Sequence, residues 1–169
     1  MARSTARRRA LRSAAGAPGG TTSRTGARRK RGKARAAAPR TTRTPRADSP
    51  LGRLRLICLG LPEANERTSH GEPTWFAGKG KVFAMLDDHH HGAPHLSVWL
   101  PAALGAQEAL VDSDPERYFR PPYVGSSGWV GVVLDTGPDW AQVAWLVEQA
   151  YRTVAHSRLV ARLPRRDGD

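Results

Sequence analysis

From Leu51 onward the apolar residues recur in two rhythms. Leu51, Leu54, Ile57, Cys58 and Leu61 stand three or four positions apart, which gathers them on one stripe of a helix. Ser49-Pro50 opens that helix, because the hydroxyl can cap a free N–H and proline at the first helical position has no N–H to satisfy. Pro62 ends it, and Arg53 and Arg55 fall on its wetter side. Beyond the polar stretch Glu63 to His70 the rhythm shortens. Thr74 to Ala77 and Lys81 to Leu86 read as strands joined by Gly78-Lys79-Gly80, whose glycines allow the positive φ of a tight hairpin. A second polar turn, Asp87 to Pro94, leads into His95 to Leu100, where Leu96, Val98 and Leu100 share one face and Ser97 and Trp99 the other. The pattern predicts a three-stranded meander, with a fourth strand open as an option at Asn65–Ser69.

Pro101 predicts the start of a short helix through about Val111, followed by a loop across Pro121-Pro122-Tyr123. Gly128 to Leu134 is apolar on both faces, as a strand inside a sheet would be. Thr136-Gly137-Pro138-Asp139 resembles a capping box ahead of the clearest helix in the chain. Trp140, Val143, Ala144, Val147, Ala150, Tyr151 and Val154 line one face of it, and Trp145 stands well off that face. Together the elements predict helices and an antiparallel sheet in one domain, with this last helix lying across the sheet.

Before Ser49 the pattern vanishes. Apart from Met1, the only large apolar residue there is Leu11, and there is no aromatic. Nothing offsets a backbone entropy cost of about 1–2 kcal/mol per residue, so residues 1–48 are expected to form a disordered arm. The domain is expected over 49–164, with a disordered tail at 165–169. Charge follows the same division. Residues 1–50 carry fifteen Lys and Arg against one acid, Asp48, or +14; the rest carry twelve against fourteen, or −2, which recovers the total of +12. The basicity therefore belongs to the arm. No apolar run approaches the ~18 residues of a membrane span, and Arg7–Arg9 precede no apolar signal region. A cytoplasmic location is expected. The Ala/Arg/Gly/Pro bias of the arm also suits translated GC-rich DNA upstream of a later start.

Chemistry is sparse. One cysteine, Cys58, rules out an internal disulfide and a cysteine-built zinc site, and its place on the apolar stripe predicts a buried thiol. Asp87-Asp88-His89-His90-His91 with His95 has metal-binding composition, but successive side chains on an extended strand point to opposite faces, so a polar hairpin tip is expected and no metal. His70 with Glu72 and Glu63 or Glu66 lacks an accompanying nucleophile or phosphate loop, so no catalytic residues and no cofactor are expected. Two binding readings remain. Arg7, Arg8, Arg9, Arg28, Arg29, Lys30 and Arg31 in the arm can bind DNA phosphates, joined by Lys79 and Lys81 on the hairpin and by Arg117, Arg120 and Arg158. Alternatively Trp75, Trp99, Tyr123 and Trp129 could line an aromatic groove for a protein or small-molecule partner, or serve as core anchors.

Several segments, in order, resemble the MmcQ/YjbR family: Gly71-Glu72-Pro73-Thr74-Trp75, Lys81 to Leu86, Leu96 to Pro101, Asp114 to Phe119, Pro122-Tyr123-Val124-Gly125 with Gly128 to Val132, and Asp139-Trp140. The resemblance runs from about Leu51 to Leu163. It implies a CyaY-like α+β fold, an antiparallel sheet covered on one face by helices, and a DNA-binding role through a double wing of hairpins. Many relatives carry a lysine where this chain has Trp99.

Overall fold

The computed structural model describes residues 46–90 and 93–164. Most of the expected arm, the turn residues His91 and Gly92, and the expected tail lie outside these. The order of elements is α1 (Pro50–Leu59), β1 (Ala64–Ser69), β2 (Glu72–Ala77), β3 (Val82–Asp88), β4 (Leu96–Pro101), α2 (Ala106–Ser113), β5 (Tyr118–Phe119), β6 (Trp129–Val133), α3 (Trp140–Val154) and α4 (Ser157–Val160). The strands form one antiparallel sheet in the order β1-β2-β3-β4-β6-β5.

The cap predicted for α1 is present, with Ser49 Oγ accepting from the Gly52 N–H at 3.0 Å. Arg46 to Asp48, assigned to the arm by composition, turn back over this first helical turn, where Ser49 donates its N–H and its hydroxyl to the Arg46 carbonyl. Gly52 is required there, since a Cβ would stand 2.1 Å from that carbonyl oxygen. The optional strand does form. Its polar residues pair instead of packing: Arg55 of α1 grips Glu66 through two nitrogens, and the Arg67 guanidinium lies 4.4 Å from the Phe76 ring centre. A charged, solvated edge strand of this kind discourages pairing with other chains.

The core lies between the sheet and helices α1 and α3. Leu54, Cys58, Trp75, Val98, Leu100, Val130, Val143, Val147 and Tyr151 are buried there. Register shifts by one residue between Trp75 and Phe76, opposite Phe83. Such a bulge breaks the alternation of faces, so that neighbouring Phe83 and Ala84 both enter the core. Phe83 meets Tyr151 edge-on at 5.2 Å, and the Tyr151 hydroxyl donates to the Pro62 carbonyl at 2.5 Å, tying α3 to the link after α1. Trp75 Nε1 has no hydrogen-bond partner among the described residues.

Three expectations change. Pro101 ends β4, paired with Trp129, and the next helix starts only after Gly105 at φ 78°. A proline is tolerated at a strand end, so a helix-start signal was misread. The cap of α3 is Asp139, which accepts from the Ala141 N–H at 2.9 Å, with Thr136 exposed upstream. Trp140 is half-buried, with the Arg53 guanidinium 5.6 Å from its ring centre. The two-residue strand β5 is too short to leave a periodic signal. It flanks β6 opposite β4 and so places β6 inside the sheet. Phe119 of β5 lies flat over Gly131, where a Cβ would come within 2.3 Å of its ring.

Candidate functional site

Antiparallel order sends the hairpin tips to opposite ends of the sheet. The β2–β3 tip is at one end; the β1–β2 and β3–β4 tips are at the other.

The β2–β3 tip is basic. Gly78, at φ 60°, donates its N–H to the Glu63 carbonyl, and Gly80 closes the turn onto the Ala77 carbonyl, both at 3.0 Å. This holds Lys79 and Lys81 in solvent. Helix α4 lies alongside, with Leu159 within contact distance of the Gly78 Cβ position, and both Arg158 and Arg162 reach the Glu63 carboxylate, at 3.3 and 2.8 Å. Two arginines thus share one acid beside a turn that carries two exposed lysines. Arg162 was not singled out from sequence, although its spacing from Arg158 would bring the two together on a helical turn. Arg117 and Arg120 do not join them: each pairs locally, with Asp114 and Glu108 respectively. Arg7, Arg8, Arg9, Arg28, Arg29, Lys30 and Arg31 lie outside the described residues.

The helix-free face of the sheet carries a cavity of about 350 Å³. The expected aromatic quartet is divided around it. Trp75 is fully buried on the helix-covered face and takes no part. Trp99 and Tyr123 both line the cavity. The Trp99 indole N–H donates to Ser97 Oγ at 3.1 Å, which fixes the ring. Tyr123 is 76 % exposed and sits at φ 64°, an unusual backbone for a bulky residue. Trp129 shares this face by register, half-buried, and its carbonyl accepts from Gln107, a buried amide that also donates to the Gly125 carbonyl. Gln107, which pins the 125–127 turn to β6, left no signal in the sequence.

Acids and imidazoles complete the cavity. Glu72 and Asp87 line it with His70 and His90, and His90 Nδ1 is 2.7 Å from Glu72 Oε1. Burial raises the Glu72 pKa above its ordinary range; Asp88 and Asp87 push the same way, and His90 opposes them. The other turn histidines engage separate carboxylates, His89 with Asp88 at 2.8 Å and His95 with Asp135 at 3.2 Å. Among the described residues no three His, Cys, Asp or Glu side chains are grouped to hold a metal ion, and His91 lies outside them. Cys58 is buried, and burial pushes its thiol pKa well up, which disfavours the thiolate.

A family model, YjbR, matches residues 59–153, from the end of α1 through almost all of α3. The chain belongs to the YjbR family. The crystal structure of the Deinococcus radiodurans protein DR2400, with a DUF419 domain, is similar in fold: TM-score 0.51, 20 % identity, covering 61 % of this chain and 78 % of that one. A search of curated proteins finds no match. The YjbR match thus spans the sheet, the basic hairpin and the cavity, while Arg158 of α4 and Arg162 just after it lie beyond it. Among the described residues no helix is long and apolar enough to cross a membrane.

Proposed function

We propose that this YjbR-family protein is a non-catalytic DNA-binding protein that holds the phosphate backbone with its basic arm and with the β2–β3 hairpin. The observation that carries this reading is the gathering of Lys79, Lys81, Arg158 and Arg162 at one end of a domain that is otherwise slightly acidic. An exposed cluster of cations on a rigid turn suits phosphate oxygens, and the +14 arm supplies a larger, sequence-independent share by counterion release. The hairpin acts as one wing, placed by the sheet on the side away from the histidine-rich turn.

A salt titration of duplex DNA binding tests it. With the arm engaging about five phosphates, the log–log slope should lie near −4 to −5, at about −0.9 per phosphate. Replacing Arg158 and Arg162 with alanine, together with Lys79→Ala and Lys81→Ala, should flatten the slope further in a chain lacking the arm. Binding that ignores salt, or that is unchanged when both the arm and these four cations are removed, would refute the proposal.

A further inference from the structure

The cavity on the helix-free face has a chemistry of its own, and it is the reverse of the basic hairpin. Its apolar wall is built from Met85 of β3, Trp99 of β4 and Tyr123 of the loop before β6. Its polar wall holds Glu72 and Asp87 with His70 and His90; the half-exposed His90 imidazole, 2.7 Å from Glu72, occupies the place a ligand cation would take, and among the described residues no lysine or arginine lines the cavity. Asp87 is 3 % exposed and the Glu72 side chain 17 %, so both carboxylates act through a medium that screens them less than water does. Two aromatic faces beside two carboxylates favour a positive ligand on two independent grounds. The ring quadrupoles attract a cation, and the acids repel an anion. The volume of about 350 Å³ lies at the small end of ligand cavities, which run from about 300 to 1,000 Å³.

The site is also held in shape. The hydrogen bond to Ser97 fixes the Trp99 ring, and the register Met85↔Trp99 sets the thioether directly beside it. Tyr123 is carried into the cavity by a left-handed backbone that the 125–127 turn and Gln107 stabilise from the other side.

We propose that this cavity binds a small organic cation, an amine or quaternary ammonium, whose charge sits at Glu72 and whose apolar body packs on Met85, Trp99 and Tyr123.

Calorimetric titration of the full chain with phenethylammonium and tetramethylammonium tests this, with 2-phenylethanol as the uncharged match of the first. Saturable binding of at least one cation is expected, with a Kd of about 1 mM or tighter, and 2-phenylethanol should bind at least about tenfold more weakly than phenethylammonium. Glu72→Gln and Tyr123→Ala should each weaken the cation about tenfold while circular dichroism stays unchanged; Tyr123 is exposed, so its removal spares the fold. Failure of both cations to saturate, equal affinity for the alcohol, or full affinity in Glu72→Gln would overturn the proposal. None of these outcomes bears on DNA binding, which is read at the opposite end of the sheet.

Discussion

At the scale of single residues, environment decides what composition leaves open. Glu72 is an ordinary glutamate in the sequence, and its partial burial beside His90, Asp88 and Asp87 makes it unusual. The sign of the effect on stability follows from the raised pKa. The folded chain holds the Glu72 proton more tightly than the unfolded chain does. Its contribution is therefore fully present below the ordinary value of 4.5 and is lost as pH rises through the folded value. Glu72→Gln cannot ionise, so its stability relative to the parent should grow as pH rises through that window. Urea midpoints measured on both sides of it check this, and a constant difference would show that burial does not perturb the group.

At the scale of elements, α3 shows how far periodicity reaches. Val143, Val147, Ala150 and Tyr151 were all placed on the buried face by spacing alone, and they are buried. Trp140 was assigned to the same face, yet at the first turn it is half covered and faces Arg53. Trp145 is 41 % exposed, as its position off the stripe implied. Val147→Ala should cost about 1–3 kcal/mol through the cavity it leaves, and Trp145→Ala under about 1 kcal/mol. Chemical denaturation separates the two, and the reverse ranking would mean that a different face of α3 meets the sheet.

At the scale of the whole molecule, every apolar stripe and strand that the sequence pattern predicts falls among the described residues. The chain starting at Arg46 should unfold in one cooperative transition without the preceding residues, since its first turn and cap are complete from there. Beginning instead at Pro50 removes the Ser49 cap and the Arg46 turn, and should lower stability by about 1 kcal/mol. Thermal melts followed by circular dichroism compare the two, and a chain from Arg46 lacking cooperative melting would show that the fold depends on the arm.

Local pattern was sufficient wherever burial is regular. The helix cap at Ser49, the apolar stripe of α3, the hairpin glycines and the alternation in β4 each express one neighbourhood of the chain, so α1, α3 and the β2–β3–β4 meander were legible, and with them the α+β class. The charge division was legible too, because it is a sum over sequence. Contacts between distant residues were not. A bulge opposite Phe83, a two-residue β5 and a proline completing β4 depend on how strands pair, and pairing leaves no periodic trace. The same holds for the sites. Arg158 and Arg162 meet Glu63 across 95 and 99 positions, and Trp75 and Trp99, alike in sequence, lie on opposite sides of one sheet. Sequence determined which segments bury apolar surface, because that depends on spacing along the chain; tertiary structure alone decided which charged and aromatic side chains share a surface, because that depends on the order in which the strands pair.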